Sequence, residues 1–187
     1  MNIFILDENP IKAAQLQCDK HIVKMIVESA QMLSTAHRML DGRMVKRPSK
    51  SGKTWVKYYL HPNEHMETNL YKAVHFGHPC TVWTMESNMN YKWHYEHFKA
   101  LLQEYTYRYN KVHKSSELLP ILKKIPVNIP KTSNLTPFKL AMGSNPECML
   151  ENPVESYRAF YQTKQKRFKM VWSKRSVPNW FNQLELV

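Results

Sequence analysis

Four polar side chains near the amino end fall on one side of a helix: His21, Lys24, Glu28 and Gln31 stand at i, i+3, i+7 and i+10. Asp19 and Lys20 lie at the approach to this stripe, and Glu28 is the lone carboxylate between Asp19 and Asp41. A single carboxylate in a basic stretch repels phosphate, so it is a poor choice there unless it has a task. General acid–base catalysis, or stabilisation of a developing positive charge, is such a task. A solvated helix face produces the same spacing, with Glu28 merely paired to a lysine. His21 reads as a phosphate contact, as a group orienting Glu28, or as a satisfied structural histidine. Lys24 reads as a phosphate ligand, a free surface lysine or an alternative Schiff-base amine. Asp19 reads best as a structural support.

Other candidates are basic. Residues 42–60 carry Arg43, Lys46, Arg47, Lys50, Lys53 and Lys57 without one acid, interleaved with Trp55, Tyr58 and Tyr59. Cations hold phosphates and aromatic faces stack on bases. Toward the other end come Lys164, Lys166, Arg167 and Lys169, then Lys174 and Arg175. His78 before Pro79 reads as a cap and turn, with a site role as the alternative.

The bulk charge agrees with this emphasis. The 187 residues include 27 Lys+Arg against 15 Asp+Glu, a net +12, and a compact chain of that charge points to a polyanion, most often nucleic acid. Four glycines in the whole chain leave little to build a phosphate loop or dinucleotide turn. No apolar run reaches the roughly 18 residues of a membrane span, and Asp7, Glu8 and Asn9 interrupt the first apolar stretch where a secretory signal would continue. Three cysteines, Cys18, Cys80 and Cys148, argue for a reducing compartment rather than a disulfide framework. Cys18 and His21 have a ligand-like spacing but no second pair, so neither a metal nor a cofactor is expected.

The pattern predicts an all-α single domain over 1–187, with two long helices, shorter helices and basic loops. Asn9-Pro10 starts a long helix that should reach Leu40 and stop at Asp41-Gly42. Residues 42–60 are expected to be a basic loop. A shorter helix should follow Pro62 to about Phe76. After Gly77-His78-Pro79, a second long helix should run from Cys80 to about Lys111, and a short one over 114–124. Residues 125–152 read as an ordered loop. Asn152-Pro153 starts a last helix to about Trp172, and a tail over 173–187 should pack back through Trp180 and Phe181.

The Asp19-Lys20-His21 triplet followed by Glu28 resembles the signature helix of the pyrimidine dimer DNA glycosylases, the endonuclease V type of phages and its bacterial relatives. That family has an Asp-x-His near its start and its catalytic glutamate nine residues after the Asp, the separation of Asp19 and Glu28. Gly77-His78-Pro79 with Trp83 is similar to the Asn-His-Pro and Trp of the bacterial relatives, and Ser156-Tyr157-Arg158 to a third segment. The resemblance implies an all-helical fold and damaged or modified duplex DNA as partner; a monomer and a cytoplasmic site of action (the host cytoplasm if the chain is phage-encoded) are expected alongside. It implies N-glycosylase chemistry on a damaged or modified pyrimidine, with lyase activity at the abasic site: an N-terminal amine attacks the sugar C1′ and a carboxylate assists. An α-amine, with its reference pKa of about 8 against about 10.4 for lysine, is the better neutral-pH nucleophile. By position the nucleophile would be Met1 and the carboxylate Glu28. Substrate contacts would come from Asn2, Lys20, His21, Lys24, Gln31, Arg43, Lys46, Arg47, Lys53, His78 and Lys169. Val27 and Gln31 occupy places where the family has arginines. The alternatives are a non-catalytic nucleic-acid-binding protein, and an N-glycosidase for a modified base or nucleotide.

Overall fold

Asn9 accepts hydrogen bonds from the Ile11 and Lys12 amides, and Pro10 occupies the first helical position, so α1 (Pro10–Gln15) begins at Asn9. In the computed structural model, which describes residues 1–182, this helix is short. The chain turns at Leu16–Cys18, and a second helix, α2 (Asp19–Leu40), begins. The break has a tertiary cause: the Cys18 amide donates to the Tyr161 hydroxyl and the Asp19 amide to the Val171 carbonyl. The single helix expected from residue 10 to residue 40 is therefore two.

Residues 42–60 are not a loop, and the chain is not all-α. β1 (Arg43–Pro48) and β2 (Trp55–Leu60) form an antiparallel hairpin with Lys46 opposite Lys57 and Pro48 opposite Trp55. Val45, Trp55, Val56, Tyr58 and Tyr59 supply the β-branched and aromatic residues a ribbon prefers, behind a composition dominated by lysine. The turn closes through Gly52, at φ +70°, whose amide donates to the Ser49 carbonyl. Among the described residues the fold is helix-dominated with this one two-stranded sheet.

α3 (Glu64–Asn69) is shorter than expected, and an irregular stretch follows to His78. The second long helix is also divided. α4 (Pro79–Glu86) and α5 (Asn88–Tyr109) meet at Ser87, which is fully extended and caps α5 by accepting from the Asn90 amide. The Asn88 amide donates to the Pro130 carbonyl, so a distant loop fixes this corner. After the short α6 (Leu119–Leu122) the chain is largely irregular up to α7 (Pro153–Gln162). α7 opens on Asn152-Pro153 and ends ten residues before Trp172, passing into a single 3-10 turn over Thr163–Lys166. Trp172 packs edge-on against Phe181, ring centroids 4.8 Å apart, and the Trp180 carbonyl accepts from Gln162. The final part of the tail, 183–187, lies outside the described residues.

α2 and α5 form the spine, with α1 packed on α5 and α4 on α2. Ile22, Met25, Ile26, Ala30 and Leu33 of α2 share one buried cluster with Phe98, Leu101 and Leu102 of α5. Ile3–Leu6 are buried in the same cluster, so the chain's first residues are drawn into the core. Burial on this scale, at roughly 25 cal/mol per Å² of apolar surface, is what holds the amino end in place.

Candidate active site

The amino end is drawn onto α2. The Asn2 amide donates to Glu28 Oε2 at 2.8 Å, and the Met1 ammonium lies 3.7 Å from the same oxygen. The other oxygen, Oε1, faces Lys24 Nζ at 3.4 Å. Asn2 is fixed on both sides: its Nδ2 donates to the Ala141 carbonyl and its Oδ1 accepts from the Phe4 amide. Phe4 holds φ +55°, an unfavourable left-handed conformation for a bulky residue. The Asn2 bond and the stacking of the Phe4 ring on His21, centroids 4.7 Å apart, over-determine it.

These residues line a cavity of about 280 Å³, together with Met25, Ala141, Ser144, Phe160, Lys164, Arg167 and Phe168. Among the described residues its only acid is Glu28, against Lys24, Lys164, Arg167 and the terminal ammonium. An anion is therefore attracted to the mouth while the carboxylate sits beside the amine. The volume is near the roughly 300 Å³ at which pockets begin to hold drug-sized molecules, so one base or sugar is the appropriate scale.

His21 is in the cavity wall but not as a cation. Its Nδ1 lies 2.7 Å from the Tyr161 hydroxyl, which also accepts from the Cys18 amide. A Tyr161 hydroxyl donating to Nδ1 goes with the imidazole proton on Nε2. Burial, followed by the nearby Lys24 and Lys164, pushes His21 down to about 3. Burial therefore favours a neutral His21 ring at neutral pH, one that can still make a neutral hydrogen bond.

His78 caps α4 by accepting from the Cys80 amide and is hydrogen-bonded to the Met1 backbone. Burial lowers its pKa, helped by the terminal ammonium and opposed by Glu28, which locates it beside the amine–carboxylate pair. Lys20 is exposed, with Nζ 4.7 Å from the centroid of the Phe168 ring in the cavity wall. Gln31 is half-buried and does not line the cavity, and neither does the exposed Lys169. Arg43, Lys46, Arg47 and Lys53 belong to the hairpin, and none of them lines the cavity. Asp19 has the structural role: it accepts from Arg108, from the Ser173 amide and from the Ser173 hydroxyl.

Lys164 and Arg167 were missed as site residues. Lys164 lies half-buried over the Phe160 ring, Nζ 3.4 Å from the centroid. Burial and then Arg167 lower it to about 8, with Cys148 opposing. The signal available was the basic run that begins at Lys164; what the run could not show is that the chain folds it back across Glu28.

One group among the described residues has metal-type ligands, His37, Asp41 and His61, with His37 Nδ1 and His61 Nε2 each 4.0 Å from Asp41 Oδ2. His37 Nε2 contacts the Lys124 carbonyl and Tyr91, whose hydroxyl donates to the Leu122 carbonyl, so the His37 proton is on Nε2 and Nδ1 offers a lone pair. His61 differs: Nδ1 accepts from the Asn63 amide, which leaves its proton on Nε2, the atom an ion would need. Asp41 also accepts from the Val127 and Asn128 amides. As bonded, the trio is a polar joint between the end of α2, the end of β2 and the loop after α6.

The chain matches no known protein family, no curated protein and no solved structure.

Proposed function

We propose that the chain is a DNA N-glycosylase with lyase activity, acting on a damaged or modified pyrimidine, as its resemblance to the pyrimidine dimer glycosylases implies. The observation that carries the reading is the convergence of the Met1 amine and the Asn2 amide on one oxygen of Glu28. The amine nitrogen attacks C1′, the glycosidic bond breaks, and the base departs with the bonding electrons. Glu28 stabilises the positive sugar and takes the proton the amine gives up. Ring opening then yields an imine at C1′, whose acidified C2′ proton allows the 3′ phosphate to leave by β-elimination. A base must leave the stack to reach a cavity of this size, which makes flipping part of the reaction. Lys24, Lys164 and Arg167 supply the phosphate contacts that Val27 and Gln31 do not.

The reading extends to a monomer working where DNA is reached in a reducing compartment, the host cytoplasm if the chain is phage-encoded. Cys18, Cys80 and Cys148 are all free and buried, as suits that setting. Among the described residues no helix is long and apolar enough to cross a membrane. A second reading, a non-catalytic nucleic-acid-binding protein, is favoured by the exposed basic hairpin.

Borohydride trapping separates the two. The protein is incubated with ultraviolet-irradiated duplex or abasic duplex, reduced, and mapped by peptide. The expected result is a covalent adduct on Met1 that disappears in Glu28→Gln. An adduct only with abasic duplex retains the lyase and removes dimer excision. No adduct on either, with binding intact, leaves the binding protein.

A further inference from the structure

Tyr59 at the base of the hairpin packs on Phe76, but the outer residues carry side chains that packing does not call for. From Lys46 to Lys57 every residue is exposed except the half-buried Ser49, so the outer part of the ribbon is sparsely packed, with Arg47 and Val56 only bordering an open groove toward Thr68, Lys72 and Val74. An unsupported two-stranded ribbon is marginal in water. Here it is further weakened: Lys46 stands directly opposite Lys57, and like charges across a strand pair are destabilising. Arg47, Lys50 and Lys53 add to the charge, and no acid lies within the hairpin to offset it. Trp55 is 72% exposed, whereas Trp83, Trp93 and Trp172 are each 7% exposed or less.

The strand register puts three of these residues together. Pleating sends alternate residues to opposite faces, so the Lys46–Lys57 pair and the neighbouring Pro48–Trp55 pair project from the same face. Two adjacent cations beside an open indole match a nucleic-acid strand, in which phosphates alternate with flat bases. A protein partner rich in acids would account for the lysines and leave the indole in water. The hairpin continues from the end of α2, where twelve residues of helix, roughly 18 Å, separate Leu40 from Glu28. It is thus a contact remote from the cavity.

We propose that this ribbon binds unpaired DNA, with Lys46 and Lys57 on consecutive phosphates and Trp55 stacked on a base. The proposal shares its partner with the reading above but not its chemistry, since an undamaged strand that is never cleaved is enough to engage it.

The test is a titration of the full chain with an unmodified single-stranded oligonucleotide, followed by tryptophan fluorescence and repeated over a range of salt. Trp55 dominates the solvent-sensitive emission, so stacking should quench it. Trp55→Phe should remove the quenching signal while keeping a stacking ring. Trp55→Ala should weaken binding on the order of tenfold. Lys46→Ala with Lys57→Ala should lower the slope of log affinity against log salt by about 1.4, two phosphate contacts at about 0.7 each for a single strand. Melting temperature controls for folding, and it should hold or rise in the lysine variant, because the opposed charges are gone. An unchanged slope and no quenching overturn the proposal and leave the lysines as guards of an exposed strand edge. A reduced slope without quenching overturns the stacking and keeps the phosphate contacts. Equal quenching by an intact duplex overturns the preference for unpaired strand. Failure of the Met1 adduct would not alter any of these readouts.

Discussion

Glu28 Oε2 accepts the Asn2 amide at 2.8 Å, and the terminal amine, one residue earlier, is thereby held 3.7 Å from the same atom. The bond to Asn2 is made through the main chain, so it sets the position of the chain's start rather than its side chains. Placing two residues ahead of Met1 converts that amine to an amide and pushes new chain into the cavity. The extended protein should give no trapped adduct with abasic duplex, while retaining its binding to single strands.

Glu28→Gln keeps an acceptor for the Asn2 amide and removes the charge. Turnover should fall by about 10²–10³, the usual loss when a preorganised electrostatic group is removed from a transition state. The melting temperature should stay close to the parent. A variant that retains full turnover would sink the carboxylate's role.

Arg108 anchors the start of α2. Its buried guanidinium donates to Glu104 Oε2 and the Gln17 carbonyl in the interior, and to Asp19 Oδ1 and the Gln15 carbonyl at its part-buried edge. Arg108→Met leaves two carboxylates short of a partner and two carbonyls unpaired. A loss of about 3–5 kcal/mol is expected in denaturant unfolding, as for other broken buried pairs. A loss under about 1 kcal/mol would show that Arg175 and Ser173 suffice for those acids.

Gly42 marks the passage from α2 into the hairpin. A Cβ there would come within 2.3 Å of the Arg38 carbonyl oxygen and 3.0 Å of the Leu60 carbonyl oxygen, both main-chain atoms. Gly42→Ala should cost about 1–3 kcal/mol, in the range of other forced close contacts. Limited proteolysis should then cut the hairpin before the helices, and identical digestion patterns would refute this.

Acid should unfold the protein through its histidines. Burial holds His21 at about 3 and His37 and His97 at about 4, and lowers His94 as well. Each has a folded pKa below its unfolded value near 6.5. The unfolded chain therefore binds more protons in that window, and stability falls as the pH drops from 6.5 toward 4. The steepest slope, with four histidines contributing, is about 5 kcal/mol per pH unit. Melting temperatures measured from pH 7 to pH 4.5 test this, and a flat profile would contradict the neutral buried rings.

The helix starts were legible because capping is local: Asn9-Pro10, His78-Pro79 and Asn152-Pro153 each place an acceptor before a proline, and each begins a helix. The breaks were not legible, because they are set at a distance. Tyr161 and Val171 end the run at Cys18 and Asp19, and Pro130 helps fix the corner at Ser87. The hairpin escaped because its charge resembles a loop while its alternation of Val, Trp and Tyr is spread across two short strands. At the cavity, the i, i+3, i+7 spacing brought His21, Lys24 and Glu28 to one wall, whereas Gln31 is one turn too far along. No periodicity could bring Lys164 and Arg167 to that wall from the far end of the chain.

Arg38 spends its donors on main-chain oxygens: those of Tyr59, Glu67, Leu70 and Tyr71, with the Glu67 carboxylate as its one side-chain acceptor. A grip on carbonyls does not depend on which side chains the gripped residues carry. Within the ribbon that grip takes Tyr59 alone, at the base beside the Tyr59–Phe76 ring contact, so the part beyond it is the interchangeable part. Its outer length and lettering can therefore change without renegotiating the helices that hold the Met1 amine and the Glu28 carboxylate.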